Sequence, residues 1–163
     1  MPGPGPAPAR GKPSPPGPAQ GRVYRVKVTP GEKPGTLRFT CPNTGADCET
    51  LTVDASTAEK HHTIVWDFAI AGIEECSVDF ADATPFCRHR DGAYHDEHRA
   101  QARHTIRLEL KTLNWGGNGV TPIQDGQKFK YAAKAVAGSR TYEVDPVVIV
   151  RGGGGGDDEG GGG

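Results

Sequence analysis

Cys76, Cys87, His89, His95 and His98 carry the thiolate sulfur and imidazole nitrogen that zinc and copper take as ligands. The stretch from His62 to His104 holds five of the six histidines and two of the four cysteines, and His61, His62 and His104 stand by as further ligands. A transition-metal site drawn from this set is the sharpest chemistry the residue types offer. Their spacing argues against it: Cys76 and Cys87 are not a short chelating pair, and Cys41 and Cys48 are separated by six residues, where zinc pairs are separated by about two to four. His95 and His98 share a face only if their segment is helical. The alternative for the cysteines is two disulfides, Cys41 to Cys48 and Cys76 to Cys87, each restricting the unfolded chain.

Catalysis finds little footing. His95-Asp96-Glu97-His98 lacks the two-residue spacer of a zinc-protease helix, so its acid cannot be placed as general base. Cys87 and His89 could pair as nucleophile and base in an extended chain, but no third group orients them. Gly116-Gly117-Asn118-Gly119 has no following Lys-Ser or Lys-Thr and no helix behind it, so it is not a phosphate loop. The chain is expected not to be an enzyme. Trp115, a large aromatic beside those glycines, either folds back on the protein or is offered to a partner, which makes it the candidate partner-binding residue.

The elements that must position these residues are strands. Ile64, Trp66, Phe68 and Ile70 fall at every second position, as do Ile106, Leu108 and Leu110 against Arg107, Glu109 and Lys111. Tyr24, Val26 and Val28 repeat the pattern, Leu37 with Phe39 and Leu51 with Val53 do so more briefly, and Phe129 to Ala135 and Tyr142 to Val150 close the chain. Gly138-Ser139 supplies a hairpin turn between the last two. Arg88 to Arg103 has little apolar to bury and reads as an exposed loop, with one short helix over His95 to Ala102. Seven or eight short strands divided by turn signals predict an all-β, antiparallel β-sandwich.

Both ends differ from the middle. Residues 1–21 are dominated by Pro, Gly and Ala, and 152–163 hold nine Gly around Asp157-Asp158-Glu159. Neither can bury enough apolar surface to fold, so both are expected to be disordered tails around one sandwich domain over 22–151. The net charge of the 163 residues is −1. Without Arg10, Lys12 and the tail acids the domain has as many basic as acidic side chains, so neither nucleic acid nor a membrane is implied as partner. No apolar run approaches a membrane span. The first twenty residues lack the apolar centre of a secretory signal, which places the chain in the cytoplasm; disulfide-bonded cysteines would instead require a secreted or periplasmic setting.

The order of features resembles the small bacterial cupredoxin-like β-sandwich proteins. The residues that carry the likeness are Thr63-Ile64-Val65-Trp66-Asp67-Phe68, Asp82-Ala83-Thr84-Pro85-Phe86, and a closing hairpin ending in Asp145-Pro146-Val147-Val148-Ile149-Val150. The resemblance implies a cupredoxin-like fold, with an immunoglobulin-like sandwich as the alternative. It does not bring the activity with it. A type 1 copper site needs Cys and His between the last two strands and usually an axial Met, whereas Val136-Ala137-Gly138-Ser139-Arg140 has none and the only Met is Met1. The functional expectation is a non-catalytic binding or structural module for an unknown protein or small ligand, without a cofactor. The alternative is a zinc or copper binding protein using the Cys/His-rich segment.

Overall fold

Alternation decides which residues enter the interior of this protein. In the computed structural model, which describes residues 21–56 and 61–152, fourteen strands follow one another: β1 (Val23–Pro30), β2 (Leu37–Cys41), β3 (Ala46–Asp47), β4 (Thr50–Asp54), β5 (Thr63–Phe68), β6 (Ile73–Asp79), β7 (Phe86–Arg90), β8 (Ala93–Asp96), β9 (Arg99–Ala102), β10 (Thr105–Leu110), β11 (Lys128–Lys130), β12 (Ala132–Ala137), β13 (Arg140–Val144) and β14 (Val147–Arg151). The tails expected to be disordered lie outside the described residues, apart from Gly21 and Gly152.

The strands form a β-sandwich. One layer is a seven-stranded sheet in the order β3-β2-β1-β5-β10-β7-β8; the other is made of a three-stranded sheet, β11-β14-β4, and a four-stranded one, β13-β12-β6-β9. Val26, Val28, Ile64, Trp66, Phe68, Ile106, Leu108 and Leu110 point from the large sheet into one core, and Val53, Val78, Phe129, Ala133, Ala135, Val148 and Val150 meet them from the other side. Each Val or Leu so buried contributes about 1.5–3 kcal/mol. At the centre Trp66 donates its indole N–H to the Tyr131 hydroxyl at 3.0 Å, and Phe80 and Phe86 pack against the same rings. The hydrogen bond removes the cost of burying two polar atoms in an otherwise apolar interior.

Several features differ from the sequence expectation, beginning with fourteen strands where seven or eight were expected. The sheets are mixed, since β1 runs parallel to β5 and β4 parallel to β14. There is no helix over His95 to Ala102: β8 ends at Asp96, and β9 pairs with β6 from Asp79↔Arg99 to Cys76↔Ala102. The reason is visible in β9 itself, where Ala100 and Ala102 turn inward against the core while Arg99 and Gln101 face out, a period of two that a helix could not bury. Cys76 and Cys87 do not pair. They are separate buried thiols on β6 and β7, in opposite layers, whereas Cys41 and Cys48 are joined by a disulfide.

Candidate functional site

The segment read as a loop from Arg88 onward is a β-hairpin. Asp91 and Gly92 both have positive φ, 55° and 80°, which is the two-residue turn whose twist matches its flanking strands. The turn sets β7 against β8 with His89 opposite Tyr94 and Cys87 opposite Asp96. Both pairs face away from the core, on the outer side of the large sheet.

A second loop, 112–121, folds onto the edge of β8. The Asp96 N–H donates to Gly119 O at 2.7 Å, and the Asp96 carboxylate accepts from the Thr121 N–H at 3.0 Å. Gly119 has φ of 87°, and a Cβ there would stand 2.9 Å from Tyr94 O and His95 Nδ1, so only glycine allows this approach. Lys111 completes the anchor. Its side chain is 1% exposed and its Nζ lies 2.7 Å from Asp96 Oδ1, while also donating to Thr121 O at 2.8 Å. The two backbone groups of Thr121 thus hold both members of an ion pair whose lysine is buried and whose carboxylate is partly exposed. Burial alone would raise the Asp96 carboxyl, but the bonds from Lys111 and Thr121 outweigh it and keep it below its ordinary value. Removing the Asp96 carboxylate would leave the buried Lys111 ammonium with Thr121 O alone, which is the costly change at this pair.

What the anchored loop presents is Trp115. Its ring centroid lies 5.1 Å from His61 and 5.3 Å from Tyr94, and His61 lies 5.0 Å from Tyr94. His89 adds an edge contact to Tyr94 at 4.8 Å. Three rings this close touch one another and enclose no space for a cation between their faces. Trp115 therefore does fold back, onto the outer face of the large sheet and not into the main core, and it remains half-buried. The His61 ring is fixed by its Nδ1, 3.0 Å from Leu110 O. The cluster is a firm aromatic ledge with its outer edges in solvent.

The five candidate metal ligands are scattered. Cys76 belongs to the inner face of the second layer and Cys87 to the outer face of the first. His89 packs on Tyr94, and His98 is tied through Nδ1 to Phe80 O at 2.9 Å. His95 pairs with Arg88 across the hairpin, on the opposite side of β8 from Tyr94 and Asp96. Among the described residues no three His, Cys, Asp or Glu side chains gather as a metal ion requires. Burial pushes both free thiols up to about 12, so neither is a thiolate at neutral pH. A cleft beside Lys111, lined also by Thr84, His98 and Phe129, measures about 230 Å³, below the size of pockets that enclose small-molecule ligands.

No protein-family model and no curated protein matches this chain. Sequence reasoning reached Trp115, took His61 and His89 as metal ligands only, and missed Tyr94 and the Lys111–Asp96 anchor. Asp91-Gly92 was the available signal for the first, because that dipeptide marks a two-residue hairpin and so places Tyr94 opposite His89. Lys111 gave a misleading one: it continues the exposed phase of Arg107 and Glu109, yet β10 ends at Leu110 and the chain turns it inward.

Proposed function

We propose that this protein is a non-catalytic β-sandwich binding module whose contact surface is the aromatic ledge of Trp115, Tyr94, His61 and His89. One observation carries the reading: the loop that presents Trp115 is tied to β8 by the Gly119 and Thr121 backbone and an ion pair with a buried lysine. A loop that merely connects strands has no need of such an anchor, whereas a binding surface gains from being ordered before its partner arrives. The Cys41–Cys48 disulfide supports an oxidising compartment, secreted or periplasmic. The cupredoxin-like kinship belongs to the same reading, as a scaffold without its copper ligands.

The chain has two Trp, so labelling with 5-fluorotryptophan gives two fluorine resonances, one from the core at Trp66 and one from the ledge. Trp115→Phe assigns them. A ligand found by screening peptides and oligosaccharides is expected to move the Trp115 resonance and leave Trp66 in place. A ligand that binds by calorimetry without moving the Trp115 signal would put the contact surface elsewhere.

A further inference from the structure

Beyond the aromatic ledge, the outer face of the large sheet carries a cluster of exposed cations. Register places Arg25 on β1 opposite Val65 on β5, and Val65 opposite Arg107 on β10. In the next row Lys27 stands beside Asp67, and one step further Arg38 on β2 lies opposite Thr29. Arg25, Lys27, Arg38 and Arg107 are all exposed, and none is in an ion pair among the described residues. Three carboxylates share this face: Asp67 opposite Lys27, Asp47 on β3 in the same row beyond Thr40, and Glu109 one row from Arg107 on β10. Val65 is 3% exposed although it points away from the core, so long side chains must lie across it, and the flanking Arg stems are in place to do so. Adjacent strands are about 4.8 Å apart and alternate residues about 7 Å, so the four cations form a grid spaced at roughly 7–10 Å.

Four cations against these three carboxylates leave the face one positive charge in excess, on a chain whose net charge is −1. Exposed, unpaired cations in a repeating arrangement suit a polymer with repeating anionic groups. At the β7–β8 end of the sheet stands the ledge, where aromatic faces and ring nitrogens suit a ring that is apolar on its faces and polar at its edge. Acidic polysaccharide joins both properties, and the disulfide favours the compartment in which such polymers occur over one that holds nucleic acid. We infer that the outer face of the seven-stranded sheet binds an acidic polysaccharide, with Arg25, Lys27, Arg38 and Arg107 on its carboxylate or sulfate groups and the Trp115 ledge on its sugar rings. The inference rests on the binding-module reading and names the ligand class for it.

Calorimetry on the full chain with a heparin-derived octasaccharide tests this, alongside a neutral oligosaccharide of the same length and an oligothymidylate. Arg25→Glu with Arg107→Glu is expected to weaken octasaccharide binding at least about tenfold, and Lys27→Glu with Arg38→Glu is a second pair on the same face should the first disturb folding. Lys128→Glu with Lys134→Glu changes the net charge equally on the other layer and is expected to leave binding within about twofold. Equal losses from the two layers would reduce the effect to bulk charge and overturn the proposal. Neutral oligosaccharide bound as tightly would remove the cation grid from it. Tighter binding of oligothymidylate would replace the polysaccharide by single-stranded nucleic acid. No binding of the octasaccharide overturns the inference, while the binding-module reading is then judged separately by the Trp115 resonance.

Discussion

His62 is 2% exposed, and its ring is held by a single hydrogen bond, the Arg22 N–H donating to Nδ1 at 2.8 Å. The proton of the neutral ring must therefore sit on Nε2, which is buried without a hydrogen-bond partner among the described residues. Burial lowers the His62 pKa below its ordinary 6.5; Asp54 pulls the other way, and Arg22 and His61 add to the lowering. The unfolded chain then binds a proton at His62 that the folded one refuses, so stability falls as pH drops below 6.5, by at most about 1.4 kcal/mol per pH unit for one proton. Asp54 and Asp96, both held below 3.8, lose their contribution only at lower pH, so the windows are distinct. Urea denaturation from neutral pH into the range above the carboxylate titrations is expected to show this slope, and His62→Gln, whose amide oxygen can accept from Arg22, is expected to flatten it. An unchanged slope in the variant would assign it to another histidine. None of this was legible beforehand: the sequence shows a His-His pair before a strand, and only the third dimension decides which imidazole faces in.

Elements were legible where a period of two runs against a core. Strands β1, β5 and β10, and the β12–β13 hairpin across Gly138-Ser139, lie where alternation and turn chemistry put them. The reading failed where short strands carry few apolar residues. In β8 and β9 the pairing partners lie far along the chain or across a two-residue turn, and their charged residues suggested a loop. Cysteine pairing divided in the same way. Cys41 and Cys48 flank a tight turn between β2 and β3, with Cα atoms 5.7 Å apart, a distance that suits a disulfide. That Cys76 and Cys87 do not pair required knowing the layers. Because the closed loop is short, replacing Cys41 and Cys48 by Ser is expected to cost about 2.5 kcal/mol, read as a lower urea midpoint, with the fluorine signals of both Trp residues retained because the edge strand β3 is remote from them. Loss of the Trp66 signal dispersion would mean that the disulfide supports the whole sandwich.

At the scale of the molecule, no helix among the described residues is long and apolar enough to cross a membrane, and the fold class follows from strand patterning alone. Topology did not. The parallel pairs β1 with β5 and β4 with β14 join segments whose sequences give no hint of each other. They also have a temporal consequence. Thr50 on β4 meets Val147 on β14, roughly a hundred residues along the chain, so closing that ladder must overcome a large loop entropy before any contact rewards it. The three-stranded sheet should assemble last, on a layer already formed by the local hairpins, and refolding should take milliseconds to seconds. Stopped-flow refolding followed at Trp66 is expected to fall in that range. Val148→Ala is expected chiefly to speed unfolding and leave the refolding rate nearly unchanged; a strongly slowed refolding limb would instead place the β4–β14 closure in the folding nucleus.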